Sequence, residues 1–102
     1  MRQFEVYPNP SNASATFAPF IVVLQSHHLN PLETVVVAPM VRDAQTPLAP
    51  LDVPVTFNGE ALAIAVAEIG AVNRSAVGRK LGDVSAEEDA IRRALERLFT
   101  GF

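Results

Sequence analysis

The chain has no cysteine, no tryptophan and only two histidines, and 19% of its residues are charged. Without cysteine there is no disulfide framework, and no thiolate to act as metal ligand or nucleophile. The two histidines, His27 and His28, are adjacent, so on a strand they would face opposite sides of the sheet. They are expected in a surface connector rather than as an acid–base pair. No HExxH pattern and no glycine-rich phosphate loop is present, so neither a catalytic residue, a metal nor a cofactor is expected. Eight basic residues stand against eleven acidic ones, a net charge of −3. That balance counts against a nucleic-acid binder working by phosphate neutralisation. The longest apolar runs, "FIVVL" and "ALAIAVA", fall far short of the roughly 20 residues that span a bilayer. The opening "MRQFEVYPNP" lacks the charged-then-apolar order of a signal peptide. A cytoplasmic location without membrane contact is expected.

What is present is apolar material in short runs. With 102 residues, 49% of them apolar, the chain reads as one domain over 1–102. A core of this size is modest, and dimerisation would supplement it. "RQFEVY" alternates Phe4 and Val6 with Gln3, Glu5 and Tyr7, the period of a half-buried strand. "FIVVLQ" at 20–25 and "TVVVA" at 34–38 are β-branched runs short enough for central strands. The connector "SHHLNPLE" lies between them, and Pro47 and Pro50 mark an irregular excursion over 42–52. The clearest local signal is "VPVTFNGEALAIAV" at 53–66, where Asn58-Gly59 predicts a two-residue hairpin turn. Gly70 and Ala71 suggest a bulge or a place where another backbone comes close.

The one strong helix pattern starts at Ser85. Ser85-Ala86-Glu87-Glu88 predicts a capping box, with the Ser85 hydroxyl bonding the backbone at Glu88. Ile91, Ala94, Leu95 and Leu98 form one apolar stripe. Glu88, Asp89, Arg92, Arg93, Glu96 and Arg97 fall on the other face, with Glu88–Arg92 and Asp89–Arg93 as i,i+4 pairs. The helix runs into Phe99-Thr100-Gly101-Phe102, an aromatic tip expected to be exposed for use. Short strands with little helix between them favour an antiparallel sheet or small barrel, mainly β with one C-terminal helix.

In this order the segments resemble the CcdB family, bacterial toxins that poison DNA gyrase. The resemblance is carried by "QFEVY", "FIVVLQS", "VVAP" ending at Pro39, the hairpin, and "AVGRKLGDVSAEEDAIRRALERLF". It covers nearly the whole length. The family's Phe-Trp-Gly-Ile ending is matched by Phe99-Thr100-Gly101-Phe102.

The resemblance implies a homodimer of SH3-like barrels, each an antiparallel sheet of about five strands plus a small extra sheet. Gly70, Ala71 and Val72 would lie across the two-fold axis. The helix tips would bind the gyrase A subunit, without catalysis and without direct nucleic-acid contact, and a CcdA-like antitoxin would remove the toxin. The gyrase-facing set carried over is Ser26, His28, Leu29 and Asn30 in the connector. On the helix it is Glu88, Asp89, Arg92, Arg93 and Glu96, ending in Thr100, Gly101 and Phe102. Arg92, Arg93 and Arg97 are the expected antitoxin contacts. Three positions depart from the archetype: Thr100 replaces its Trp, Glu96 its Asn and His28 its Ile. Other readings are a decayed or retargeted relative that no longer poisons gyrase, and a MazF-like endoribonuclease on the same barrel.

Overall fold

The computed structural model describes residues 1–29, 32–42 and 51–101. Among the described residues, seven strands form a single antiparallel sheet that curls into a half-barrel. They are β1 (Glu5–Pro8), β2 (Phe20–Val23), β3 (Thr34–Val41), β4 (Asp52–Phe57), β5 (Glu60–Ala65), β6 (Gly70–Asn73) and β7 (Gly82–Asp83), and helix α1 (Glu88–Thr100) follows. The order is β4-β5-β3-β2-β1-β7, with β6 also paired to β3. The small extra strands therefore join the main sheet instead of forming a second one. Long β3 serves two neighbours on one side: Met40 and Val41 pair with β5, and Thr34 to Val37 pair with β6. The curl brings the far strands together, and a Cβ on Gly82 of β7 would lie 3.0 Å from the Phe57 ring of β4. Phe57 also meets the Phe20 ring edge-on at 5.2 Å.

The alternation of side chains sorts the strands into two buried faces. Val6, Val22, Ala38, Met40, Val53, Leu62 and Ile64 point into the concave side, where Ile91 and Ala94 of α1 close the main core. Tyr7, Ile21, Val23, Val35 and Val37 take the opposite parity and form a second cluster on the convex side. Sequence reading treated β1 as half-buried, but Glu5 and Tyr7 are buried as well. The cover is the stretch 74–81, which crosses from the β6 side of the sheet to β7. It is fixed at one end by the Arg74 N–H to the Glu33 carbonyl (2.9 Å) and at the other by the Leu81 N–H to the Val6 carbonyl (2.8 Å). Val77 packs down on the convex cluster between them. Continuous β-branched runs in β2 and β3 are thus what two-sided burial requires.

The hairpin forms as expected: Asn58 and Gly59 take φ of +52° and +74° between β4 and β5, values that suit a two-residue turn. Gly70 begins an ordinary strand rather than a bulge, paired with Val37 and with nothing of its own chain within 4 Å of a Cβ placed there. One local expectation is corrected. The capping box does not form, because Asp83 takes both Ser85 donors. The Ser85 hydroxyl and N–H donate to its Oδ1 at 2.6 and 3.0 Å. Asp83 thus takes the Ser85 N–H that the Glu88 carboxylate would accept in a capping box, and the Glu88 N–H that the hydroxyl would cap donates to the Ser85 carbonyl instead. Ser85–Glu87 becomes a 3-10 turn, and α1 starts at Glu88. The excursion expected over 42–52 falls, at 43–50, outside the described residues.

Glu5 fastens the convex cover. Its carboxylate accepts from the Arg2 N–H (2.7 Å) and the Tyr7 hydroxyl (2.8 Å), and pairs with the Lys80 ammonium at 3.0 Å. Burial pushes the Glu5 carboxyl up. The bonds from Arg2, Tyr7 and Lys80 and the Lys80 charge outweigh it, and hold the group down to about 2. Burial, the bond to Glu5 and the Glu5 charge push the Tyr7 phenol up to about 12, with Arg74 opposing.

Two stability predictions result. Gly59 and Gly70 both have open space for a methyl group, but only Gly59 has φ in the left-handed region. Gly59→Ala should cost about 1–2 kcal/mol, and Gly70→Ala should stay within about 0.5 kcal/mol. Denaturation midpoints check this, and equal shifts would refute the backbone account. The folded Glu5 carboxyl lies below its ordinary 4.5. Its stabilisation is therefore complete above about pH 4.5 and is lost as the pH falls toward 2, an effect on the order of 2–3 kcal/mol. Melting curves of wild type and Glu5→Gln should converge over that window as the wild type loses this advantage. Parallel curves would remove Glu5 from the linkage.

Candidate partner-binding surface

Helix α1 buries Ile91 and Ala94 and leaves its opposite face in solvent. That face carries Glu88, Asp89, Arg92, Arg93, Glu96 and Arg97. Glu88 and Asp89 sit in the first turn and Arg97 in the last, the arrangement favoured by the helix dipole. Of the two expected i,i+4 pairs, one is present. Arg92 Nε donates to Glu88 Oε2 at 2.9 Å, whereas Asp89 and Arg93 are not paired among the described residues. Arg92 is also held from beneath, its guanidinium carbon 5.6 Å from the centroid of the Phe4 ring. The guanidinium groups of Arg93 and Arg97 have no ion pair, hydrogen bond or ring contact among the described residues.

At the tip, the Thr100 hydroxyl turns back to donate to the Glu96 carbonyl at 2.6 Å, a local bond that takes it out of outward contact. Gly101 ends the helix at φ +78°, its N–H donating to the Arg97 carbonyl. This is the left-handed stop for which glycine is favoured. Phe99, 71% exposed, is the largest apolar surface on this end of the helix among the described residues. Phe102 lies outside them.

The connector forms a 3-10 turn over His27–Leu29. Ser26 Oγ accepts from the His28 N–H at 3.2 Å, which starts that turn. Because the backbone curls here, the two histidines do not point apart as they would on a strand. Their rings lie 4.5 Å apart, tilted by 36°. Asn30 and the Leu29 side chain lie outside the described residues. Among the described residues no group of three or more His, Asp or Glu gathers as a metal site would require. A shallow groove at the start of the helix is lined by Pro54, Val55, Thr56, Ala61, Leu62 and Glu87, with Glu87 its one charged group among the described residues.

The structure links the connector and the helix through a piece the sequence reading left unremarked. Arg2 to Glu5 form a tight turn, the Glu5 N–H donating to the Arg2 carbonyl. Phe4 takes φ of +72°, a genuine outlier for a bulky aromatic. It stays there because its N–H donates to the Val23 carbonyl (2.7 Å), its carbonyl accepts from the Val84 N–H (2.9 Å), and its ring is buried. Gln3 Nε2 donates to the Leu24 carbonyl at 2.9 Å, two residues before Ser26. The turn thus touches the entry to the connector on one side and Arg92 on the other. Nothing in "RQFEVY" signals this, since Phe4 reads as one more inward strand residue. Gly70, Ala71 and Val72 lie apart, in β6, where they pair with Val37, Val36 and Val35 of β3. Gly70 and Ala71 are exposed there and Val72 half-buried.

Solved structures of similar fold include two described as toxins and one described as an endoribonuclease. The Mycobacterium tuberculosis toxin MazF-mt6 is 19% identical, with 96% of each chain covered and a TM-score of 0.73. An endoribonuclease in complex with its cognate antitoxin, from a mycobacterial species, is 17% identical over 96% of this chain and 93% of that one, with a TM-score of 0.76. An Mtb toxin is 22% identical, covering 80% of this chain and 92% of its own, at a TM-score of 0.68. At such identities the likeness is one of fold. No curated protein matches the chain. The family described as CcdB protein matches residues 3–101, essentially all of the strands, the connector and the helix, and the chain belongs to the CcdB family.

Proposed function

We propose that the protein is the toxin of a type II toxin–antitoxin module. It acts in the cytoplasm as a homodimer, without catalysis of its own, by binding the DNA gyrase A subunit and trapping cleaved DNA. The observation that carries this reading is the family match over residues 3–101, which includes the helix whose charged face and Phe99 tip lie open. Ser26, His28, Leu29 and Asn30 in the connector, with Glu88, Arg92, Glu96, Thr100, Gly101 and Phe102, make the gyrase surface. Arg92, Arg93 and Arg97 meet an acidic antitoxin segment, and Gly70 to Val72 meet their two-fold mates. The mycobacterial endoribonuclease solved with its cognate antitoxin supports an antitoxin partner by analogy of fold. It also favours a second reading, ribonuclease activity. Against that stand the 17% identity, the net charge of −3 and the acidic sign of Glu87, the one charged group of the helix-side groove among the described residues.

Purified gyrase with supercoiled DNA, and a separate RNA substrate, distinguish the readings. Accumulated cleavage complexes support the gyrase reading, and RNA cleavage without gyrase replaces it with the second. Thr100 is the weak point of the surface: its hydroxyl bonds Glu96, whereas the family Trp supplies an apolar face for stacking and for a guanidinium. Thr100→Trp should raise cleavage-complex yield about tenfold, equivalent to roughly 1.4 kcal/mol. No gain would place gyrase contact elsewhere.

The dimer has its own check. Gly70 and Ala71 are exposed on a strand edge, where small side chains let another chain approach and a charge would not. Sedimentation of the wild type at micromolar concentration should give twice 11.0 kDa, and Ala71→Glu should give the monomer. A wild type that sediments as a monomer would end this part of the reading.

A further inference from the structure

Three arginines share the open face of α1, yet only one of them is held. Arg92 has its Nε bonded to Glu88 and its plane carried near the Phe4 ring. Half of its side chain remains exposed. Its Nη groups have no partner among the described residues. A guanidinium fixed in this way has a planar donor fork ready for a carboxylate, and loses little freedom on binding. Arg93 and Arg97 have to be ordered by whatever binds them.

The support beneath Arg92 is itself over-determined. Phe4 is kept at φ +72° by backbone bonds to Val23 and Val84. The turn around it is closed by Glu5, which is tied in turn to Tyr7 and Lys80. Strained residues held this firmly occur where a fixed geometry is used. We propose that Phe4 is a positioning residue: its turn sets the Arg92 guanidinium to receive a carboxylate of an acidic partner segment. Arg93 and Arg97 supply only long-range attraction. This rests on the reading of the α1 face as the partner surface, and it names Arg92 as the orienting contact within that face.

The test uses the full chain and a hexaglutamate peptide in low salt, and needs neither gyrase nor antitoxin. In the free protein, the Nε–H resonance of Arg92 should stand apart from those of Arg93 and Arg97 through the ring current of Phe4. It should merge with them in Phe4→Leu and separate again in Phe4→Tyr. On titration, Arg92 should respond first, and Arg92→Lys should weaken peptide binding about threefold to tenfold. Arg93→Lys and Arg97→Lys should stay within about twofold, because a mobile charge survives that exchange. Arg92 is solvent-facing, so its variant reports even where Phe4→Leu fails to fold. Three equal lysine effects, an Arg92 signal indifferent to residue 4, or no peptide binding would each overturn the proposal. Failure of the gyrase assay with these results intact would strike the target alone.

Discussion

β2 and β3 are apolar on both faces, and a strand of this kind cannot be left with either face in water. One concave and one convex cluster follow, and each needs a cover. Helix α1 supplies the first through Ile91 and Ala94. Residues 74–81 supply the second, which is why the chain leaves β6, crosses the outside of the sheet and returns as the two-residue strand β7. A polar outer face would have made that crossing unnecessary. The short stretch between β6 and β7, itself largely exposed, contributes Val77 to the convex cluster.

The crossing has to be fastened, and the fastening uses a buried charge. A lone carboxylate with the 8% exposure of Glu5 would be expelled or protonated. Three donors from three different places prevent that: the Arg2 backbone, the Tyr7 phenol and the Lys80 ammonium. One of these donors closes the turn that holds Phe4 in its left-handed conformation. The pin for the convex cover and the base beneath Arg92 consequently share a single residue. Removing one partner of such a group leaves the others facing an uncompensated site, so the convex cover and the helix surface are energetically joined through β1.

Much of this was legible in the sequence where the signal was local. Asn58-Gly59 predicted the hairpin because positive φ at both positions restricts the choice of residue, and the runs at 20–25 and 34–38 predicted central strands. The helix stripe Ile91, Ala94, Leu95, Leu98 predicted which side of α1 faces the core. The misses have a common physical cause, which is competition among partners that sequence spacing does not rank. The Ser85 N–H had two carboxylates within reach, and Asp83 took it while Glu88 bonded Arg92. Glu5 alternated correctly with Phe4, but its partner Lys80 lies 75 positions on. The adjacency of His27 and His28 implied opposite directions only for an extended backbone, and the chain curls there instead. Phe4 carried no signal at all, since long-range bonds to Val23 and Val84 impose its φ.

The same half-barrel occurs in mycobacterial toxins of under 25% identity, so the sheet by itself does not select a target. Selection has to come from surfaces the core does not constrain, and α1 separates the two cleanly. Its inner positions are committed to the main cluster, where a change in volume is felt by every strand. Its outer positions touch little, so their identities can change at small cost to folding. Of the three departures from the archetype, Thr100 and Glu96 lie on such positions of α1, and His28 is exposed in the connector. Arg92 is the exception among the outer residues, because Glu88 and Phe4 tie it to the interior. A surface of free charges gathered round one fixed guanidinium can exchange its periphery while keeping its orientation, and in that arrangement the half-barrel acts as a frame for the helix.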